Sequence, residues 1–156
     1  MQKHKLNNWD IWLVTWFGAG LSPKAPGTMG SLAGLPFAVG IFYFAGWQGL
    51  LLAAILVTIL GVMCSHHYMQ RIGKTEDPQE IVIDEVAGLW IALLPMPLDV
   101  PHYMLAFLLF RLFDITKPSF IGWIDREVKG ANGVMFDDVA AGIVAAIIGY
   151  VVTIYY

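Results

Sequence analysis

Residues 32–66 read LAGLPFAVGIFYFAGWQGLLLAAILVTILGVMCSH, a run with no Asp, Glu, Lys or Arg, interrupted by the turn-forming Gly46-Trp47-Gln48-Gly49. A run so apolar on every side suits a helix solvated by lipid better than one with a single core-facing stripe. The break divides it into segments at 32–46 and 50–66, and three more apolar segments follow at 84–96, 103–115 and 137–155. Between them lie the polar stretch 70–79, the prolines Pro95, Pro97 and Pro101, and the polar stretch 116–136. Several segments are shorter than the roughly 20 residues of an ordinary span, so about four or five short crossings are expected.

The composition points the same way. Hydrophobic residues make up 58% of the 156 and charged residues 13%, against about 25% charged in a soluble domain. Upstream of the first segment, Trp9, Trp12, Leu13, Trp16 and Phe17 recur at helical spacing within 6–19, and tryptophan favours headgroup depth, so an interfacial helix is expected there. The expected fold class is all-α: a multi-spanning membrane helical bundle forming one domain over 1–156. Residues 1–31 supply the interfacial helix and a Gly/Pro loop, and 32–156 the bundle with its cytoplasmic loops. The early stretch of Lys3, His4, Lys5, Trp9 and Asp10 does not read as a cleavable signal. A net charge of −3 with no Lys/Arg tract excludes a nucleic-acid footprint. The single cysteine, Cys64, excludes an internal disulfide or a thiolate-rich metal site.

If all five segments cross, alternate loops fall on opposite sides. Lys3, Lys5, Lys24, Arg71, Lys74, Arg111, Lys117, Arg126 and Lys129 then all share one face, which the positive-inside rule makes cytoplasmic. The acids follow the bases: Asp84 and Glu85 open the third segment, Asp114 closes the fourth, and Asp137 and Asp138 open the fifth. Carboxylates at membrane depth are costly and call for a partner or a task. Asp84-Glu85-Val86-Ala87-Gly88 and Asp137-Asp138-Val139-Ala140-Ala141-Gly142 each place paired acids before small residues that permit close helix packing. Helix capping would account for either pair alone. Two pairs plus Asp114 suit Mg²⁺, which takes a few carboxylates together with water and substrate phosphate.

The loop from Gly18 to Ser31, with Ser22, Lys24, Thr28 and Ser31, offers free N–H groups at a helix N-terminus and reads as an anion site or as an ordinary turn with a Ser or Thr cap. It lacks the spacing of a nucleotide P-loop. Arg111 and Asp114, three apart, can pair on one helical face, while Lys117 and Arg126 can serve substrate phosphate or anionic lipid. His66 and His67 end the second segment as interfacial polar groups or a proton shuttle.

These elements resemble the phosphatidylglycerophosphatase A family over nearly the whole chain. The specific matches are Gly20-Leu21-Ser22-Pro23, Pro26-Gly27-Thr28-Met29-Gly30-Ser31, Asp84-Glu85, Phe110-Arg111 with Asp114, Lys117-Pro118, Asp125-Arg126, and Gly133-Val134-Met135 with Asp137-Asp138. The chain departs from the family pattern at Ser119-Phe120 and at Gly130-Ala131. The resemblance implies Mg²⁺-dependent hydrolysis of phosphatidylglycerophosphate to phosphatidylglycerol and inorganic phosphate, in the bacterial inner membrane, with the active site facing the cytoplasm.

Residue types narrow the mechanism. A cysteine phosphatase places five residues between its thiolate and an arginine; six separate Cys64 from Arg71. No Asp-x-Asp-x-Thr nucleophile motif occurs. Metal-assisted attack by water remains, with Asp84, Glu85, Asp114, Asp137 and Asp138 as the candidate metal and catalytic set. Ser22, Lys24, Thr28, Ser31, Arg111, Lys117 and Arg126 are the candidate phosphate ligands. The competing readings are a non-enzymatic cation-conducting membrane protein, whose acids should line a span, and a CDP-alcohol phosphatidyltransferase-like enzyme, whose signature is missing.

Overall fold

The computed structural model describes residues 8–156. Lys3, His4, Lys5 and the first two residues of the expected interfacial helix lie outside them. Six helices follow one another: α1 (Trp9–Val14), α2 (Pro26–Ile72), α3 (Ile83–Leu93), α4 (Val100–Thr116), α5 (Ser119–Glu127) and α6 (Gly130–Tyr155), with a 3₁₀ turn at Ala19–Leu21. The described residues contain no strand.

α2 is not one rod. Gly46 adopts φ 65° and ψ −168°, a backbone that an L side chain resists, and the helix folds back on itself there. A straight helix of 47 residues would extend about 70 Å. Instead Gly30 packs on Val82, and Gly61, far along the second limb, packs on the adjacent Ile83. The limb 26–45 runs parallel to α3, because Gly34 next meets Val86 and accepts a 3.0 Å hydrogen bond from Trp90 Nε1. The limb 47–72 runs antiparallel to it and ends with Tyr68 Oη donating to Glu80 Oε1 at 2.8 Å.

α6 again runs parallel to α3, with Gly142 on Gly88 and Gly149 on Met96. α4 runs the other way and returns Arg111 to Gly27 at the start of α2. Five rods thus alternate in direction, and α3 is their centre, with nine of its eleven residues buried. Leu52, Leu56, Leu108, Ile147 and Ile154 point outward from the surrounding helices and stay exposed. Two helices, Pro26–Ile72 and Gly130–Tyr155, are long and apolar enough to cross a membrane.

Three local features differ from the sequence expectation. α1 is only six residues long, because Trp16 and Phe17 take positive φ and end the helical spacing. Trp16 is buried against Phe37 and Trp90, and buried Asp10 accepts a 2.7 Å hydrogen bond from Arg71, so this segment is fastened to the bundle while Trp9 and Trp12 remain exposed. The stretch 116–136 is not a loop but holds α5 and the first turns of α6. Asp137 and Asp138 therefore lie about two turns inside α6 and do not cap it.

Candidate active site

The site forms where α3 and α6 touch. A Cβ on Gly142 would lie 2.3 Å from the carbonyl oxygen of Gly88, and one on Gly88 would lie 2.6 Å from that of Asp138. Asp84 precedes Gly88 by four residues, as Asp138 precedes Gly142. Each carboxylate thus stands one turn above the small residue that lets the backbones meet.

Asp84, Glu85 and Asp138 each offer one carboxylate oxygen within 4.8 Å of the others. Asp84 and Asp138 are buried, and Asp84 Oδ1, Glu85 Oε2 and Asp138 Oδ2 have no hydrogen-bond partner among the described residues. Three carboxylates gathered this closely and largely out of water are costly without a counter-charge, and an all-oxygen set of this kind suits a hard divalent cation. The residues present fit Mg²⁺.

Asp137 and Asp114 have other partners. Asp137 Oδ2 accepts from Lys117 Nζ, and Asp137 Oδ1 accepts from the backbone N–H of Asp138 at 2.9 Å. Lys117 Nζ also donates to Asp125 Oδ1 at 2.7 Å, so one ammonium joins the end of α4 to α5 and α6. Burial would lower the pKa of Lys117, but the hydrogen bonds to Asp125 and Asp137 prevail and raise it above the ordinary lysine range. The same bond from Lys117 holds the Asp125 carboxyl below the usual carboxylate range. Asp114 accepts from Arg111 through Oδ2, and both residues act electrostatically on Glu85. Arg111 Nε has no partner among the described residues.

The Gly/Pro loop reaches the site at one point. A Cβ on Gly27, in the first turn of α2, would stand 2.3 Å from Glu85 Oε1 and 3.3 Å from Arg111 Nη1. Half-buried Thr28 follows it. Ser31 is buried and donates to the Gly27 carbonyl at 2.9 Å, whereas Ser22 donates to the Lys24 carbonyl at 2.9 Å in a local turn. Lys24 and Arg126 are exposed and form no ion pair among the described residues. Of the expected phosphate ligands, the structure brings Arg111 to the acids and joins Lys117 to Asp137.

Asp77 is the residue the sequence reading missed. It lies in the 73–82 connection and, with Asp125 and Lys129, lines a polar pocket of about 260 Å³. The residue is exposed as a whole, yet desolvation of its carboxyl, with Glu85 and Asp137 near, pushes it up to about 7. Its only sequence signal was a place in an acidic loop.

Comparison with known proteins supports one family. A family model described as "Phosphatidylglycerophosphatase A" matches residues 12–153. Phosphatidylglycerophosphatase A of Escherichia coli (strain K12) is 41% identical over 145 residues, covering 92% of this chain and 83% of its own. The Haemophilus influenzae protein of the same name is 37% identical over 141 residues, covering 90% and 86%. A Bacteroides thetaiotaomicron protein bearing the provisional name phosphatidylinositol-3-phosphatase is 37% identical over 145 residues, covering 88% and 89%. No solved structure matches the chain.

Proposed function

The chain belongs to the phosphatidylglycerophosphatase A family, and on that premise we propose that it hydrolyses phosphatidylglycerophosphate to phosphatidylglycerol and inorganic phosphate. The observation that carries this reading into the site is the convergence of the Asp84, Glu85 and Asp138 carboxylates beside Arg111 and the first turn of α2, each acid also keeping one buried oxygen without a hydrogen-bond partner among the described residues.

Asp84, Glu85 and Asp138 would hold Mg²⁺, which when bound supplies charge neutralisation and Lewis-acid polarisation at phosphate. Arg111 and the free N–H groups of the first turn of α2 receive the remaining phosphate oxygens. Asp114, fixed by Arg111, takes a proton from the attacking water as the water oxygen bonds to phosphorus. The bond from phosphorus to the glycerol oxygen breaks, that oxygen takes a proton from solvent to leave as the lipid alcohol, and Asp114 returns the proton it took to solvent, so that the protons balance. Asp137 has its two oxygens engaged by Lys117 and the Asp138 backbone, and in this reading it orients Asp138 rather than holding the metal. This departs from the broader five-acid set read from the sequence.

In the same reading the alternating rods make five crossings of the bacterial inner membrane, α3 being short. The acids and the described bases then sit at the cytoplasmic boundary, where a headgroup meets the carboxylates without its chains leaving the bilayer. The test is phosphate release by the purified protein from phosphatidylglycerophosphate, phosphatidic acid and phosphatidylinositol 3-phosphate, with Mg²⁺ and with chelator. Preference for the first substrate and loss with chelator are expected. Faster turnover of either other lipid, or full activity in chelator, would overturn the reading.

A further inference from the structure

α5 carries a surface that the proposed chemistry does not use. Ile121 and Ile124 turn into the bundle, while Phe120 and Trp123 point out, 63% and 51% exposed, with their rings stacked 5.9 Å apart at 15°. Ile115 at the end of α4 and Phe136 early in α6, on the two elements flanking α5, are exposed as well. Phe17 and Phe37 form another exposed stack, and what sets the α5 pair apart is the charged residues that follow it on the same helix. Arg126 and Glu127 follow Phe120 and Trp123 on α5, both exposed, and Arg126 forms no ion pair among the described residues. Charges this close exclude the hydrocarbon core as the surroundings of α5, while aromatic bodies beside an exposed arginine match headgroup depth.

We propose that α5 is a membrane-seating helix, with the Phe120–Trp123 stack inserted among the headgroups and Arg126 meeting the phosphate of anionic lipid. The inference rests on the reading of the chain as a membrane lipid phosphatase and assigns an element next to the acid cluster that seats the site at headgroup depth. The mechanical link is Lys117, whose ammonium holds Asp125 of α5 and also Asp137, the neighbour of Asp138. A bilayer that seats α5 therefore positions the wall of the acid cluster.

The full-length protein is reconstituted into phosphatidylcholine vesicles containing phosphatidylglycerol, with bromines either near the lipid carbonyls or near the chain ends. The Trp123 signal is the difference between the wild type and Trp123→Phe. It should be quenched more by the shallow bromines. Equal or deeper quenching, or no quenching because water or a second copy covers the ring, overturns the proposal. A second arm compares Phe120→Ser/Trp123→Ser with wild type: KM for substrate in vesicles should rise about tenfold, with kcat on a short-chain soluble substrate kept within about twofold. Equal loss on both substrates, or no loss on vesicles, overturns it too. Absence of phosphatase activity in the wild type would sink the functional reading alone, since the quenching still decides where α5 sits.

Discussion

Gly142 lies so close to Gly88 that a methyl group on it would reach 2.3 Å from the Gly88 carbonyl oxygen. Backbone cannot yield as a side-chain tip can, so Gly142→Ala should force α3 and α6 apart at the level of the acids. The expected cost is about 1–3 kcal/mol, read as a lower unfolding midpoint in detergent, together with weakened Mg²⁺ binding. An unchanged midpoint and affinity would show that the helix contact does not set the site.

Gly27 faces Glu85 and Arg111 across the first turn of α2. Gly27→Ala should displace Glu85 from the cluster and lower kcat/KM by about a hundredfold or more, since displacements of about 1 Å in an aligned site have effects of that order. Stability should change little, because the intruded atom is the end of a side chain. Steady-state phosphate release and thermal unfolding, measured on the same preparation, check both halves.

Lys117 neutralises the buried Asp137 and the more exposed Asp125. Lys117→Met would leave Asp137 as an unpaired buried carboxylate, at an expected cost of about 3 kcal/mol, near the lower end for breaking a buried pair because Lys117 is itself 29% exposed. Asp125→Asn should cost less than about 1 kcal/mol, as exposed pairs do. Denaturation of the two variants side by side tests the ordering.

The carboxyl of Asp77, raised to about 7, makes the charge near the cluster pH-dependent in the neutral range. As pH falls from about 8 to about 6 the group takes up a proton and the surroundings of Glu85 and Asp137 lose one negative charge, so Mg²⁺ affinity should fall. Asp77→Asn should lower affinity at the upper end of this range and remove Asp77's share of the fall, leaving a shallower profile than the wild type's. Calorimetric titration of Mg²⁺ across the range makes the comparison.

Much of the fold could be read in the chain. The Gly46 break within 32–66 separates two limbs because glycine alone tolerates the backbone needed there, and the apolar segments correspond to the alternating rods. α5 was hidden because Ser119–Glu127 mixes inward isoleucines with exposed aromatics and charges, a pattern that composition alone reads as loop. The N-terminal tryptophans were ambiguous because periodicity records spacing and not burial: Trp12 faces out while Trp16 packs on Trp90.

At the site, the paired acids were visible, but their division of labour was not. Adjacent residues on a helix point about 100° apart, so Asp138 can turn toward Asp84 while Asp137 turns to Lys117. Which neighbour each meets depends on α4 returning Lys117 to α6, a long-range fact absent from local spacing. Asp77 depends in the same way on where the 73–82 connection is laid.

The most direct measurement is Mg²⁺-dependent phosphate release from phosphatidylglycerophosphate by the wild type, Asp84→Asn and Asp138→Asn, with thermal unfolding run in parallel to establish that each is folded. Turnover should fall about a thousandfold or more in both variants, with Mg²⁺ binding lost and the fold kept. Near-normal turnover by either folded variant would contradict the three-carboxylate site.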